Sequence, residues 1–440
     1  MISSSPTYRW ATWIARNFGF SKSSALTRNT VHMLTGQSAK LVIQAIYFVL
    51  MARNLGPHQY GAFVAVTAAA AIVSPFVGNG TGILMIKNVA RDRSVFAEYW
   101  GNTLLMTLVS GAALTVGIAA ACLALLPKSI PPVVVILVVI SDVLVYRFIE
   151  VAGWAFQSVE MLGGTAYLNV FTSFTRLGGI AVILLLRRPT LLAWSVAYLV
   201  TSILCALVGI GCVLWRLGKP KLALYRIRGE LREGFYFSSG LSAQTIYNDI
   251  DKTMLARLGS LDATGIYAAA YRLIDVAFIP IRSLLAAAYP GFFRNGQHGI
   301  ASSLAYARRL LPRAFAYSAA VAVGLLVAAP LVPRVLGAEY ARTTEALRWL
   351  ALLPLLKTFH YFAADSLTGA GHQGLRTLVQ VLVALFNVAV NLWLIPVYSW
   401  RGAAWSSLAS DGLLAASLWC CAAFLRTRQP ALMQPTEVTA

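Results

Sequence analysis

The chain has 440 residues, of which 58% are hydrophobic and only 12% charged, with a formal net charge of +20 and a mean hydropathy of +0.69. Soluble globular chains carry about 25% charged residues, so this composition excludes a water-soluble catalytic domain. The apolar residues fall in blocks of about 20 to 28, long enough to cross a ~30 Å hydrocarbon core as helices; the alternating segments of a membrane barrel, about ten residues each, are absent.

In chain order, residues 1–30 contain no apolar stretch of the kind a cleavable signal needs. Trp10, Trp13, Ile14 and Phe18 share one helical face with Arg9 and Arg16 elsewhere, the pattern of a short helix lying at the cytoplasmic interface. A disordered basic leader fits the same residues. Twelve spans are then predicted, at 31–52, 60–88, 99–126, 133–156, 167–186 and 191–214, and at 235–258, 265–292, 304–330, 346–367, 375–395 and 403–425. The expected fold is an all-α polytopic membrane protein. It has a cytoplasmic segment at 1–30, an N-lobe at 31–215, a basic cytoplasmic linker at 216–233, a C-lobe at 234–426 and a cytoplasmic tail at 427–440. Two spans carry helix breakers: Gly78-Asn79-Gly80-Thr81-Gly82 after Pro75 in the second, and Pro280 in the eighth. Broken helices survive in a membrane only beside protein or a wet cavity, although glycine also serves close helix packing.

Orientation follows from lysine and arginine in the connections. With the N-terminus in the cytoplasm, the inner connections hold twenty of these residues and the outer ones eight. Both termini are therefore expected inside a cytoplasmic (inner) membrane. The richest basic connection, 216–232, splits the spans six and six. An internal repeat matches that split. Arg53 and Arg257, and Gly61 and Gly265, stand at the same separation, each pair on the outer side, so the halves are expected to be parallel copies around a central cavity.

The five cysteines lie in apolar blocks and none has metal-ligand spacing with a histidine, so no metal site or disulfide framework is predicted. No Walker loop, Gly-x-Ser-x-Gly or His-Glu-x-x-His is present. The expectation is a transporter without a catalytic residue and without a cofactor. The positive charge is read first as inside-positive topology and attraction to membrane lipids, then as recognition of an anionic substrate; no nucleic-acid partner is expected.

Ionisable residues inside a membrane cost about 2.5–3.5 kcal/mol each on insertion scales and therefore mark function or pairing. At about 100° per residue several spans present polar stripes. They are Gln37, Lys40, Gln44 and Tyr47 on the first, Asn169, Ser173 and Arg176 on the fifth, and Gln244, Asn248 and Asp251 with Lys252 at the edge on the seventh. Arg272, Asp275 and Arg282 line the eighth, and Lys357, His360 and Tyr361 the tenth. Arg272 with Asp275, Arg147 with Glu150, and Lys252 with Asp249 could pair within one helix. Lys40 and Arg282 have no acid three or four positions away on their own helices, which makes them the leading candidates for contact with an anionic headgroup; Lys252 and Arg176 join them. Gln37, Gln44, Tyr47, Gln244 and Asn248 are candidates to face sugar. Asp275 and Asp251 are candidates for ion coupling.

Ala52-Arg53-Asn54-Leu55-Gly56-Pro57-His58-Gln59-Tyr60-Gly61 resembles a signature of the Wzx-like polysaccharide flippases. So do Asp251-Lys252-Thr253-Met254-Leu255 with Gly265 to Leu273, and Asn387 to Pro396 with Gly402-Ala403-Ala404. The resemblance implies the multidrug/oligosaccharidyl-lipid/polysaccharide (MOP) exporter superfamily, with two six-helix lobes around a central cavity. It implies translocation of undecaprenyl-diphosphate-linked oligosaccharide by alternating access, for surface polysaccharide such as O-antigen, capsule or exopolysaccharide. Implied partners are the polyprenyl diphosphate glycan and other polysaccharide assembly proteins. Ala270-Tyr271-Arg272-Leu273 is similar to an Ala-x-Arg-Leu motif of the lipid II flippases, which marks Arg272 as a headgroup contact. Their Ser-Arg…Arg-Asp pattern in the first span is missing here, which argues against lipid II. An ion-coupled drug or metabolite antiporter of the same superfamily and a membrane glycan polymerase are the alternatives.

Overall fold

The computed structural model describes residues 24–187 and 189–428, and the side chains of 24–41 and of a few residues in 226–247 lie outside that description. The interfacial helix expected within 1–30, and the side chains of Gln37 and Lys40, therefore fall outside it. The described residues are helical throughout, without a strand.

Among the described residues, eight helices are long and apolar enough to cross a membrane. One of them turns back at Gly56, where φ 67° and ψ 171° stop the helix before Pro57. A bent pair supplies a further crossing. Leu224–Leu258 and the stretch from Thr343 to Gly369 have the length but carry too many polar groups to pass as purely apolar. The result is twelve crossings, labelled α1 (24–55), α2 (57–73, then Thr81–Val89), α3 (Phe96–Leu125), α4 (Pro132–Ser158), α5 (Leu162–Leu185) and α6 (Leu191–Leu217). The rest are α7 (Leu224–Leu258), α8 (Leu261–Ala277 and Ile279–Gly296), α9 (Ile300–Ala328), α10 (Thr343–Leu350 and Leu353–Gly369), α11 (Gln373–Tyr398) and α12 (Trp400–Arg428).

Both predicted breaks are real. In α2, Ser74–Gly80 winds as a 3-10 turn with Gly78 at φ 73°, Asn79 at 47° and Gly80 at 73°, left-handed values that glycine takes without cost. In α8 the axis turns by 47° at Phe278, because Pro280 has no N–H to return to the preceding turn. A third irregularity has no breaker in the sequence: Ile140–Val145 of α4 is a π-turn.

The chain divides into two compact units. The first holds the described residues up to Leu50 with Val73–Ala119 and Val133–Ser238; the second holds Met51–Ile72, Ala120–Pro132 and the described residues from Ser239 on. Each has its own apolar core. In the first, Met85, Trp100, Val151, Phe156, Leu168 and Val213 pack together. Part of the basic connection is strapped to α3: Asn102 Nδ2 donates to the Ala223 carbonyl and Ala223 N donates to Asn102 Oδ1, both at 2.9 Å.

In the second unit, Phe278, Ile281, Phe292, Ala307 and Phe362 form one cluster and Ile300, Leu304, Ala363, Leu367 and Leu418 another. The α1–α2 turn is built into this unit. Tyr340 donates to the Ala52 carbonyl at 3.1 Å, and burial pushes its phenol well above the usual range. A Cβ on Gly61 would sit 1.9 Å from the Leu261 carbonyl oxygen, and one on Gly265 would sit 2.0 Å from that of Pro57. Beside this contact His58 Nδ1 lies 2.9 Å from Asp262 Oδ2, in a pair 204 residues apart.

Candidate functional site

Each unit encloses a cluster of charged and aromatic side chains. In the first unit the π-turn carries Asp142, whose carboxylate accepts from the Tyr198 hydroxyl at 2.5 Å. Ser141, also on the π-turn, bonds Ser202 of α6 at 2.9 Å. Arg176 of α5 lies over the rings of Tyr198 and Tyr146, at 4.4 and 5.0 Å from their centroids. Its Nε is buried and without a hydrogen-bond partner. Tyr47 of α1 stands edge-on to Trp194 of α6, with the indole N–H 3.4 Å from its hydroxyl. Tyr47, Arg176, Trp194 and Tyr198 line one small cavity with room for little more than a water. Arg147, one turn along α4, pairs with Glu150 at 2.6 Å.

In the second unit α7, α8, α10 and α12 supply the cluster. Tyr267 donates to Asp251, and Ser407 donates to the same carboxylate at 3.2 Å. Lys252 reaches Asp249 at 2.5 Å and the Asn248 carbonyl at 3.0 Å. Its ammonium also lies 4.4 Å from the centroid of the Tyr271 ring, and that of Lys357 lies 4.7 Å from the same centroid. Lys357 is 4% exposed. It donates to the Tyr271 hydroxyl at 3.0 Å and has no carboxylate within ion-pair distance among the described residues. His360 Nε2 lies 3.0 Å from Asp411 Oδ1, both side chains almost wholly buried. Arg272, half-buried on α8, makes no hydrogen bond or ion pair among the described residues.

Several sequence readings hold. Arg147 with Glu150 and Lys252 with Asp249 pair as their i, i+3 spacing suggests. One differs. By spacing, Arg282 has no acid three or four positions away on its own helix, and Arg272 could pair with Asp275. Instead Arg282 takes Asp275 at 2.5 Å, seven residues back. The bend at Phe278 brings them together, a geometry that a straight 100° helical wheel does not contain. Gln44 and Gln244 are half-buried, and the Asn248 amide donates to the Gln244 carbonyl on its own helix at 2.9 Å. The tyrosines 146, 198, 267 and 271 were not among the candidates. Their signal is weak in sequence, since a phenol in a span is ordinary until a lysine, arginine or aspartate from another helix meets it. Lys357 and His360 belong to the polar stripe of the tenth span, and the fold adds Asp411 of α12 beside His360.

The match to known proteins agrees with this architecture. Residues 26–295 match the family described as polysaccharide biosynthesis protein. No curated protein matches by sequence. Among solved structures, the chain is similar to an inward-facing multidrug resistance MATE family transporter of the MOP superfamily, with TM-score 0.73 and 15% identity over 90% of this chain and 100% of that one. It is similar to an outward-facing transporter of the same description, with TM-score 0.62 and 14% identity over 91% and 97%. A MOP superfamily transporter from Pyrococcus furiosus, whose report describes a binding pocket of reversed polarity, aligns with TM-score 0.64 and 15% identity over 90% and 96%. At these identities the structural likeness speaks for the fold. With the family match spanning more than half of the chain, this multi-pass membrane protein belongs to the polysaccharide biosynthesis protein family.

Proposed function

We propose that the protein is a flippase that carries a polyprenyl-diphosphate-linked oligosaccharide across the cytoplasmic membrane by alternating access, both termini facing the cytoplasm. The observation that carries the reading is Arg272: a guanidinium half-buried in a spanning helix, in the field of Asp275 but making no hydrogen bond or ion pair among the described residues. Leaving it unpaired costs free energy that an arriving anion would recover. Lys252 and Lys357 stand over the face of its neighbour, Tyr271. Ammonium groups suit phosphate as point charges and guanidinium suits it as a fork. Gln44, Gln244 and Tyr47 are the proposed sugar-facing groups. Lys40, Arg176 and Arg282 are the remaining proposed headgroup contacts, with Arg282 released from Asp275 when substrate arrives. Asp275 and Asp251 remain the proposed ion-coupling carboxylates.

The test is the leaflet distribution of the lipid-linked glycan in a strain lacking the gene. Accumulation of the glycan in the inner leaflet, reversed by the wild-type chain and not by Arg272→Ala, is the expected result. Normal outer-leaflet glycan in the deletion strain would sink the reading.

A further inference from the structure

The headgroup reading leaves one buried pair unused. His360 of α10 and Asp411 of α12 are each 2% exposed and lie 3.0 Å apart. The pair sits in the same polar core as the lysines but contributes nothing to the face of Tyr271.

Charge counting shows what the pair can do. Among the described residues of this core, Lys252, Arg272, Arg282, Lys357 and Arg376 stand against Asp249, Asp251, Asp275, Asp365 and Asp411, so five cations meet five carboxylates. With His360 neutral the core balances; with His360 protonated it carries one positive charge. Of all these groups imidazole is the one whose ordinary titration falls at physiological pH.

Around His360 stand one carboxylate, Asp411 of α12, and two cations, Lys357 on its own helix and Arg376 on α11. Arg376 is itself held by Asp365 at 3.5 Å and by Thr368 at 2.8 Å. Tyr271 from α8 spends its hydroxyl on Lys357. From α9, Ser318 meets Thr358 at 2.6 Å. Tyr361, the next residue on α10, stacks against the imidazole ring with centroids 4.5 Å apart.

We infer that His360 and Asp411 form a proton-binding site that sets the charge of the second unit's polar core, so that proton uptake and anion binding favour each other. In the empty core the imidazole is neutral beside the Asp411 carboxylate. When an anion joins Lys252, Lys357 and Arg272, the core becomes negative and the imidazole takes a proton from water. By linkage the proton raises affinity for the anion as much as the anion raises affinity for the proton. That the anion is a prenyl diphosphate rests on the reading above; the proton site does not.

The test uses the full chain in nanodiscs with farnesyl diphosphate as the probe. Calorimetry in two buffers of different ionisation heat gives the protons taken up on binding, between about pH 5 and 8. The wild type should take up as much as about one proton more than H360Q. Its affinity should rise by up to about tenfold for each unit that pH falls, over and above any change in the variant. The titration of the diphosphate itself is common to both proteins and cancels in the difference. Equal proton uptake by the two would overturn the inference. A second measurement needs no ligand. In wild-type protein labelled at histidine Cε1, the resonance that H360Q lacks should move with pH across the same window. A resonance that stays fixed would mean an imidazole that exchanges no proton in this window, and would overturn the inference by itself. Failure of the wild type to bind farnesyl diphosphate would count against the flippase reading, and the histidine titration would still decide the proton site.

Discussion

Gly61 and Gly265 stand 204 residues apart, and each lacks the side chain that would strike the other's helix: a Cβ on either would fall within about 2 Å of a backbone carbonyl on the opposite one. The contact is reciprocal. Gly61 meets Leu261 and Gly265 meets Pro57, and Leu261 stands to Gly265 as Pro57 stands to Gly61. Equivalent positions of the internal repeat therefore touch one another around a local two-fold axis inside the second unit. The backbones approach this closely because membrane helices gain their association from packing rather than from hydrophobic exclusion.

Gly61→Ala and Gly265→Ala should each destabilise the purified protein by about 1–3 kcal/mol, the usual cost of overpacking. The double variant should lose less than the sum, because the first methyl already opens the gap that the second fills. Gly211, whose Cβ would meet nothing within 4 Å, is the control: Gly211→Ala should leave the melting temperature unchanged or slightly raised. Thermal unfolding in one detergent checks all four proteins.

Arg282 and Asp275 should behave as a pair. Arg282→Ala leaves the Asp275 carboxylate without its nearest cation, and at 50% and 30% side-chain exposure solvent limits the stability cost to about 1 kcal/mol. Arg282→Ala and Asp275→Asn should each lower transport, and the stability costs of the two should be non-additive in the double variant, because each single change leaves the other group without its partner. Additive costs would show that the two side chains do not act as a pair.

Lys357→Met should separate stability from function. The methionine keeps much of the buried stem and removes an ammonium that donates to a phenol and makes no ion pair among the described residues. Replacing a buried charge with an apolar group is often neutral or stabilising. The variant should reach the membrane in normal amount, melt no lower than wild type, and fail to export glycan.

Tyr198→Phe should cost about 1–3 kcal/mol of stability in the first unit, because it strips the Asp142 carboxylate of the hydroxyl that it accepts from. Arg176 stays between the two rings in this variant, so glycan export should fall less than in Arg176→Ala. Melting temperature and export, measured side by side, check the ordering.

Much of this was legible in the sequence. Apolar block length gives the crossings. Gly78 to Gly82 and Pro280 announce the breaks, because no helix accommodates them unchanged. Arg147 with Glu150 and Lys252 with Asp249 follow from helical spacing alone. What stayed hidden depends on a second helix or a bend. The Asp275 carboxylate goes to Arg282 because the axis turns at Phe278, and the angle of that turn is not encoded by periodicity. Tyr271 became visible only when α7 and α10 each laid a lysine over its ring. The Gly61–Gly265 pairing was present as a repeat in sequence, but that the two copies touch is a fact of packing.

The π-turn of α4 has a last consequence. A π-turn holds one residue more than the α-helical turn that it replaces, so α4 has two phases, one before Ile140–Val145 and one after. Side chains up to Val139 follow one angular count and those from Tyr146 follow another, offset by about 100°. Asp142 sits at the seam, and it meets Tyr198 while Tyr146 meets Arg176 because the helix changes step between them. Removing a single residue from 140–145 would bring the two counts into register. It would rotate one half of α4 against the other, and the aspartate and the tyrosine would then no longer reach both of their present partners.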